Sequence, residues 1–263
     1  IMIENKKFNE ELRNLPQTLK LLRIESHKFN NPVDNLPQTL ESLTIDSSFF
    51  NQPIDKLPQT LNSLKIINSY YFNHRIDNLS QMLKILYIKS NDFNQSVDNL
   101  PSMLKSLIIE GKTFNQSIDN LPQSLDSLII RGQYWEFGSF VKKKDKFNQP
   151  IDNLPQTLTS LIIDAHSFNQ PIDELPQSLK LLEIYSKFFD QPINMLPEKL
   201  ESLYIRAKYF KQSIYNLPRT LNSLTIGGNI FDQILVKLSQ TLKLLKIYGK
   251  FINQINNLPQ ALE

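Results

Sequence analysis

The stretch FNQPIDNLPQTLTSLII, residues 147–163, decides the fold, because variants of it recur along the whole chain. Consecutive copies begin 21 residues apart, except for steps of 22 after Phe50, 20 after Phe231 and 33 after Phe114. Self-similarity at a fixed period of this length is typical of solenoids, in which each repeat packs only on its neighbours. We therefore expect one solenoid of twelve repeats, which open at Phe8, Phe29, Phe50, Phe72, Phe93, Phe114, Phe147, Phe168, Phe189, Phe210, Phe231 and Phe251.

Apolar positions inside each copy predict one short strand per repeat. Counted from the opening phenylalanine, they fall at offsets 4, 7, 11, 14 and 16, and the last two belong to a Leu-x-Ile segment such as residues 43–45. An apolar period of two residues predicts a strand with one buried face. Strands of successive repeats would stack in parallel at ~4.8 Å and form a single sheet, which we expect to line the concave face.

The return path between the opening phenylalanine and the strand is short and contains proline at offset 8 in ten of the copies. Proline fixes its own φ and pushes the preceding residue towards an extended conformation, so a long return helix is excluded. The predicted fold is a leucine-rich-repeat-like solenoid with a parallel β-sheet on the concave face. Its convex face consists of extended segments and short turns, and the single domain spans residues 1–263 with an insertion at about 131–146.

The repeated phrase resembles the FNIP repeat, a leucine-rich-repeat variant, and the resemblance covers essentially the whole chain. FNIP-repeat proteins are abundant in social amoebae and in giant viruses that infect amoebae. Some carry an F-box ahead of the repeats, which implies the capture of substrates for a ubiquitin ligase. The present sequence has no F-box segment, and it begins and ends inside a repeat, so we expect the natural protein to be longer.

Composition narrows the functional classes. The chain has no cysteine, so disulfides and thiolate metal sites are excluded, and an intracellular setting is expected. By the resemblance, that setting is the host cytoplasm or a virion. A formal charge of +3 over 263 residues argues against nucleic acid, and no apolar run approaches the ~18 residues of a membrane span. The histidines, His27, His74 and His166, are scattered, so we expect no enzyme, cofactor, metal or catalytic residue.

Two polar columns follow from the alignment of the copies. Asparagines directly after the opening phenylalanine, from Asn9 to Asn169, are expected to satisfy backbone groups between repeats. Aspartates at offset 5, from Asp34 to Asp173, place like charges about 5 Å apart, at a cost on the order of 1 kcal/mol per neighbour. We expect each carboxylate to cap amides of its own turn, and the alternative is that cations or a basic partner lie along the column.

Candidate binding residues lie where strand side chains point away from the core. Ile108, Ile129 and Ile162 occupy the same offset in consecutive copies and predict an exposed apolar patch. Because monomers seldom leave such patches uncovered, this patch is a candidate binding site. The alternative is that isoleucine is simply a good strand former. This candidate site is extended by the strand tyrosines Tyr87, Tyr185 and Tyr204. The insertion adds a loop that either binds a partner or folds over neighbouring repeats, and its aromatic residues are Tyr134, Trp135, Phe137 and Phe140.

These features predict a protein-protein interaction module, whose unknown protein partner would contact the concave sheet and the inserted loop. The FNIP resemblance implies a substrate receptor of a ubiquitin ligase. One alternative is a structural or self-assembling repeat protein, as in a viral particle. A second is a carbohydrate-active β-solenoid enzyme that would use the aspartate column, although active sites are local and this column is uniform.

Overall fold

A computed structural model describes residues 1–132, 145–231, 238–251 and 258–263, and within them the chain forms one parallel twelve-stranded sheet. The strands follow one another in space in their order along the sequence. No helix occurs in this described part of the chain. The strands are β1 (Met2–Glu4), β2 (Leu21–Glu25), β3 (Ser42–Asp46), β4 (Ser63–Ile67), β5 (Ile85–Lys89), β6 (Ser106–Glu110), β7 (Ser127–Arg131), β8 (Ser160–Asp164), β9 (Leu181–Ser186), β10 (Ser202–Ala207), β11 (Ser223–Phe231) and β12 (Leu244–Phe251).

Each strand pairs with the next in the register that the repeat alignment requires. Leu107 lies opposite Leu128, and Ile109 lies opposite Ile130, so equivalent residues of successive copies form straight columns. Twelve strands enclose about eleven turns of a β-solenoid, which confirms the leucine-rich-repeat-like fold class. One side of the sheet faces the core; the other, which we name the open face, carries the alternate residues of each strand.

The core is a set of stacked columns inside the solenoid. Rings of successive opening phenylalanines, from Phe8 to Phe210, lie 5.8–6.1 Å apart and nearly parallel. The inward leucine and isoleucine of each strand from β2 to β10 are fully buried beside them, as at Leu107 and Ile109. Because each side chain packs on the equivalent side chains of the turns above and below it, no single turn could bury its apolar face alone.

The return path is a series of tight turns. In turn after turn the amide at offset 11 donates to the proline carbonyl at offset 8, as from Leu104 to Pro101 at 3.0 Å. The hydroxyl at offset 10 donates to carbonyls of the preceding turn, as from Thr60 to Leu40 at 2.7 Å. The Pro-Gln-Thr-Leu phrase therefore combines a turn with a tie to the turn before it, and this confirms the predicted absence of a return helix within the described residues.

The asparagine column forms the expected ladder. The side-chain oxygen of Asn94 accepts a hydrogen bond from the backbone amide of Asn115 at 2.9 Å, and Asn115 does the same for Asn148 at 3.0 Å. Asp190 takes the role of asparagine in its turn and accepts from the amide of Lys211 at 2.8 Å. Each rung satisfies a backbone donor at a place where the strands have ended and no sheet bond is available.

The aspartate column is stabilised differently from our prediction. Asp98 accepts from the hydroxyl of Ser96 at 2.7 Å and from the side-chain amide of Asn120, in the next turn, at 3.2 Å. A carboxylate oxygen of Asp34 forms an ion pair with the ammonium nitrogen of Lys56 at 3.2 Å. Among the described residues no backbone amide donates to these two carboxylates, so the predicted amide caps were wrong there. Side chains at offset 3 and at offset 6 of the following turn offset the repulsion instead.

The insertion leaves the solenoid without disturbing its register. Phe114 and Phe147 stack at 5.9 Å although 33 residues separate them, and Ile129 pairs directly with Ile162. At its base, Gly132 lies so close to Asp145 that a β-carbon on the glycine would fall 2.2 Å from a carboxylate oxygen. The extra residues therefore begin and end at adjacent points on the edge where strands end.

Candidate interaction surface

The centre of the open face is an isoleucine column, which we define as Ile108, Ile129 and Ile162. These residues are direct partners across β6, β7 and β8, so their side chains lie side by side at the strand spacing of ~4.8 Å. Each is half-buried, because its neighbours cover part of it. The predicted apolar patch is thus present on the open face, but it is less exposed than the sequence suggested.

Tyrosines flank this column on both sides. Tyr87 pairs with Ile108 and extends the column into β5. On the other side, Glu183 pairs with Ile162 and with Tyr204, whose ring lies 4.4 Å from the ring of Tyr185. Burial raises the pKa of Tyr185 above its ordinary value, and the nearby Glu183 and Tyr204 raise it further. Tyr185 therefore keeps its proton and remains a hydrogen-bond donor at neutral pH.

A row of alternating charge runs parallel to the isoleucine column, two residues further along each strand. Glu110 is almost fully buried and accepts from Arg131 at 3.1 Å, while Lys89 lies 3.8 Å away on its other side. Asp164 is the strand partner of Arg131 and continues the alternation. Two cations on one buried carboxylate offset the cost of its desolvation. This row makes a charged rim beside an apolar centre, an arrangement that many protein interfaces share.

Two small cavities in the described residues have charged linings. One of about 230 Å³ lies on the open face between Glu110, Arg131, Asp164 and Tyr185. The larger, of about 330 Å³, lies between turns and is lined by Arg75, Asp77 and neighbouring polar residues. Sites for small ligands are mostly apolar and enclose their ligand, so neither cavity resembles one.

Exposed aromatic residues at the strand-end edge were missed in the sequence reasoning. Phe49, Tyr71, Phe188 and Tyr209 each stand directly before an opening phenylalanine, and each is 40–53% exposed. They contact each other across neighbouring turns: the rings of Phe49 and Tyr71 are stacked at 6.4 Å, and those of Phe188 and Tyr209 are tilted to each other at 5.7 Å. The sequence could have revealed them by their position directly before the opening phenylalanine, where other copies have polar residues such as Thr113.

Lysines accompany the second aromatic pair. The ammonium nitrogen of Lys187 lies 5.0 Å from the ring centre of Phe188, and that of Lys208 lies 5.6 Å from Tyr209. The rings of His166 and Phe188 lie 5.5 Å apart in a T-shaped arrangement. Cations over rings at these distances are weakly attracted to them, so each of the two rings has a cationic neighbour.

Asp145, at the base of the insertion, is a buried carboxyl group. One oxygen accepts from the backbone amide of His166 at 2.8 Å, and the other has no hydrogen-bond partner. Burial raises the pKa of Asp145 above its ordinary value, although the bonds from His166 and Ser167 act in the opposite direction. The charged form is therefore disfavoured at this position in the fold.

No cluster for metal binding forms among the residues that the structure describes. Within them, no three histidine, aspartate or glutamate side chains are placed to hold a metal ion. His27 contacts Ser48 at 3.0 Å, His74 contacts the carbonyl of Asn51 at 3.1 Å, and His166 lies several turns away. No helix in the described chain is long and apolar enough to cross a membrane. The predicted loop residues Tyr134, Trp135, Phe137 and Phe140 lie outside the described residues.

Comparisons with known proteins agree with this architecture. The crystal structure of CroV588, a giant-virus protein described as a novel circular LRR protein structure, matches with a TM-score of 0.63 and 27% sequence identity. The match covers 97% of the present chain, which spans 44% of the length of that protein. A search of curated proteins finds no match. FNIP repeats and LRR-like solenoids are non-enzymatic scaffold families.

The family comparison agrees with the repeat phrase itself. The model of the FNIP repeat matches residues 93–132, 147–187 and 168–208, on both sides of the insertion. These segments contain the isoleucine column and the tyrosines that follow it. The chain is a repeat protein of leucine-rich-repeat-like solenoid fold, and its residues 93–132 and 147–208 match the model of the FNIP repeat.

Proposed function

We propose that this chain is a protein-interaction module and that its partner binds the open face over the isoleucine column. The observation that carries the proposal is the half-buried run of Ile108, Ile129 and Ile162, with the row from Lys89 to Asp164 beside it. Most positions on this face carry polar residues, and Thr44 and Thr225 occupy the same column as the isoleucines. An apolar centre with a charged rim is the composition expected of a protein interface.

Flanking tyrosines would form the outer contacts of this interface. Tyr87, Tyr185 and Tyr204 combine apolar ring area with a hydroxyl group and lose little conformational entropy on binding, which is why tyrosine is frequent at binding hot spots. The inserted loop, with Tyr134, Trp135, Phe137 and Phe140, begins beside the charged row and would add further contacts. The FNIP resemblance gives the proposal a specific form, in which the partner is a protein captured for ubiquitination.

The test is an affinity capture from lysate of the cells in which the protein occurs, read by quantitative mass spectrometry. The wild-type chain is compared with the triple variant Ile108→Glu, Ile129→Glu and Ile162→Glu. Three charges at the centre of an interface cost several kcal/mol unless they are paired, so we expect specific partners to be lost. Ubiquitin-ligase subunits among the lost partners would support the substrate-receptor form.

A matched control distinguishes an effect at the open face from a general effect of added negative charge. Ser102→Glu, Gln123→Glu and Gln156→Glu add the same charge to the same three turns, but at exposed positions at offset 9 of the return path. This variant should retain all partners. If the isoleucine variant folds poorly, threonine at the three positions is the alternative, because Thr44 already occupies this column. Equal capture by the wild type and both variants would refute the proposal, and concentration-dependent self-association in light scattering would favour the structural role instead.

A further inference from the structure

Charge is segregated along the solenoid although the net charge is small. Residues 202–263 contain two acidic side chains and eight cationic ones, which are Arg206, Lys208, Lys211, Arg219, Lys237, Lys243, Lys246 and Lys250. Residues 1–201 contain 24 acidic and 21 cationic side chains. The last turns are therefore a positive end on a chain that is otherwise slightly negative. Local potential, and not net charge, decides which ligands such an end attracts.

A basic aromatic patch occupies the beginning of this positive end. We define it as Lys187, Phe188, Arg206, Lys208, Tyr209 and Tyr248. Arg206 stands next to last in β10 and Lys208 begins the turn that follows it, so the Cα atoms of the two cations are at most ~7 Å apart. The guanidinium carbon of Arg206 lies 5.0 Å from the ring centre of Tyr248, two strands away.

Gly227 makes this last contact possible. It stands between Arg206 and Tyr248 in the register of β10, β11 and β12. A β-carbon on Gly227 would fall 2.6 Å from the β-carbon of Tyr248, so only glycine leaves the space that Tyr248 uses. The arrangement of the patch thus depends on a specific small residue at its centre.

The lysines of the patch differ from others in these turns. Lys180 and Lys243 pair with Glu201 and Glu263 at 3.1 and 3.7 Å. Lys187 and Lys208 form no ion pair with a described residue, and each lies over an aromatic ring instead. Their charge is therefore available to an anionic ligand.

The rings decide which kind of anion fits. Single-stranded nucleic acids bind proteins by stacking bases on free ring faces. Here the rings of Phe188 and Tyr209 lie 5.7 Å apart and tilted to each other, and Lys187 and Lys208 lie over them, so neighbours already occupy ring faces on which a base would stack. Ring edges carry partial positive charge, which adds to that of the cations and suits carboxylates. The geometry favours an acidic polypeptide over a polynucleotide.

We propose that the basic aromatic patch binds an acidic segment of a partner protein. From β9 to β12 is three strand spacings of ~4.8 Å, or ~14 Å, which an extended peptide spans with about four to five residues. The ligand is thus a short acidic run with an apolar or aromatic residue, whose carboxylates meet Lys187, Arg206 and Lys208. This surface is distinct from the isoleucine column, so its test can fail while the proposed function stands.

The test measures fluorescence anisotropy of the labelled peptide Gly-Glu-Glu-Phe-Glu-Glu-Gly with the full chain. We expect saturable binding that weakens as salt is added, because the contacts are ionic. The same peptide with lysine in place of glutamate should bind at least about tenfold more weakly. The double variant Lys187→Glu and Lys208→Glu should lose about tenfold or more in affinity for the acidic peptide.

Lys6→Glu and Lys112→Glu provide the matched control, because these lysines share the offset of Lys187 and Lys208, two residues before the opening phenylalanine, in turns that lack the aromatic pair. This control should bind the acidic peptide as the wild type does, and circular dichroism should show equal folding of all three proteins. Retained affinity in the Lys187→Glu and Lys208→Glu variant, equal binding of the lysine peptide, or no binding at all would overturn the proposal. Tighter binding of a twelve-nucleotide oligothymidylate through the same lysines would also overturn it, in favour of nucleic acid.

Discussion

Replacing Asn94 by alanine removes one rung of the asparagine ladder in the middle of the solenoid. The side-chain oxygen of Asn94 accepts from the amide of Asn115 at 2.9 Å, and the neighbouring Gln116 donates to the Asn94 carbonyl at 3.0 Å. Without the side chain, a partly buried backbone amide loses its acceptor. Leaving such a donor unsatisfied costs about 1–3 kcal/mol, so the free energy of unfolding should fall by about that amount.

The substitution Asn94→Asp tests whether the acceptor oxygen alone accounts for the stabilisation by this side chain. Aspartate keeps the acceptor oxygen, and Asp190 already fills this role with a 2.8 Å bond from Lys211. We therefore expect Asn94→Asp to cost less than about 0.5 kcal/mol, the usual scale of a surface substitution. Urea denaturation gives the free energies, and hydrogen exchange of the Asn115 amide shows whether protection is lost at that rung. Equal destabilisation by alanine and aspartate, or unchanged exchange at Asn115 in the alanine variant, would refute the ladder.

Three further substitutions test other parts of the fold by urea denaturation. Phe168→Ala removes a ring stacked between two others and should cost about 3–5 kcal/mol; a loss below ~1 kcal/mol would contradict the stacked core. Asp145→Asn should stabilise the chain at neutral pH, because the raised pKa of Asp145 means that folding is penalised once the carboxyl ionises. That penalty is absent at pH values below the ordinary pKa of 3.8 and grows as the pH rises towards the folded-state pKa. The stabilisation by Asp145→Asn should therefore vanish near pH 4, and an equal effect at pH 4 and at neutral pH would contradict this reasoning. Gly227→Ala should cost about 1–3 kcal/mol by displacing Tyr248, and an unchanged free energy of unfolding would show that the close approach is tolerated.

The fold was predictable because its signal is repeated. The spacing from Phe93 to Phe114 and the Leu-x-Ile alternation define strand register without any knowledge of tertiary contacts, and the sheet pairs Leu107 with Leu128 accordingly. The asparagine ladder was predictable for the same reason, since a polar residue at a constant offset must meet its own copy.

Features that depend on exposure or on the partner of a hydrogen bond were not predictable. The sequence placed Ile129 on the open face, but the extent to which its column neighbours cover it depends on side-chain contacts. It also showed that aspartates such as Asp98 need donors, but not that Ser96 and Asn120 would supply them. Phe188 and Tyr209 escaped notice because each stands beside a core phenylalanine and reads as part of the core phrase. Individual surface positions carry no repeat to reinforce them.

Photo-crosslinking from the open face tests the proposed interaction most directly. A photoreactive amino acid at position 129 lies in the isoleucine column, and the same amino acid at position 103 lies in an exposed part of the return path of the preceding turn. After irradiation in lysate, crosslinked partners are identified by mass spectrometry. The proposed function predicts a discrete crosslinked protein from position 129 and none from position 103. The same crosslinks from both positions, or crosslinks from position 103 alone, would contradict it.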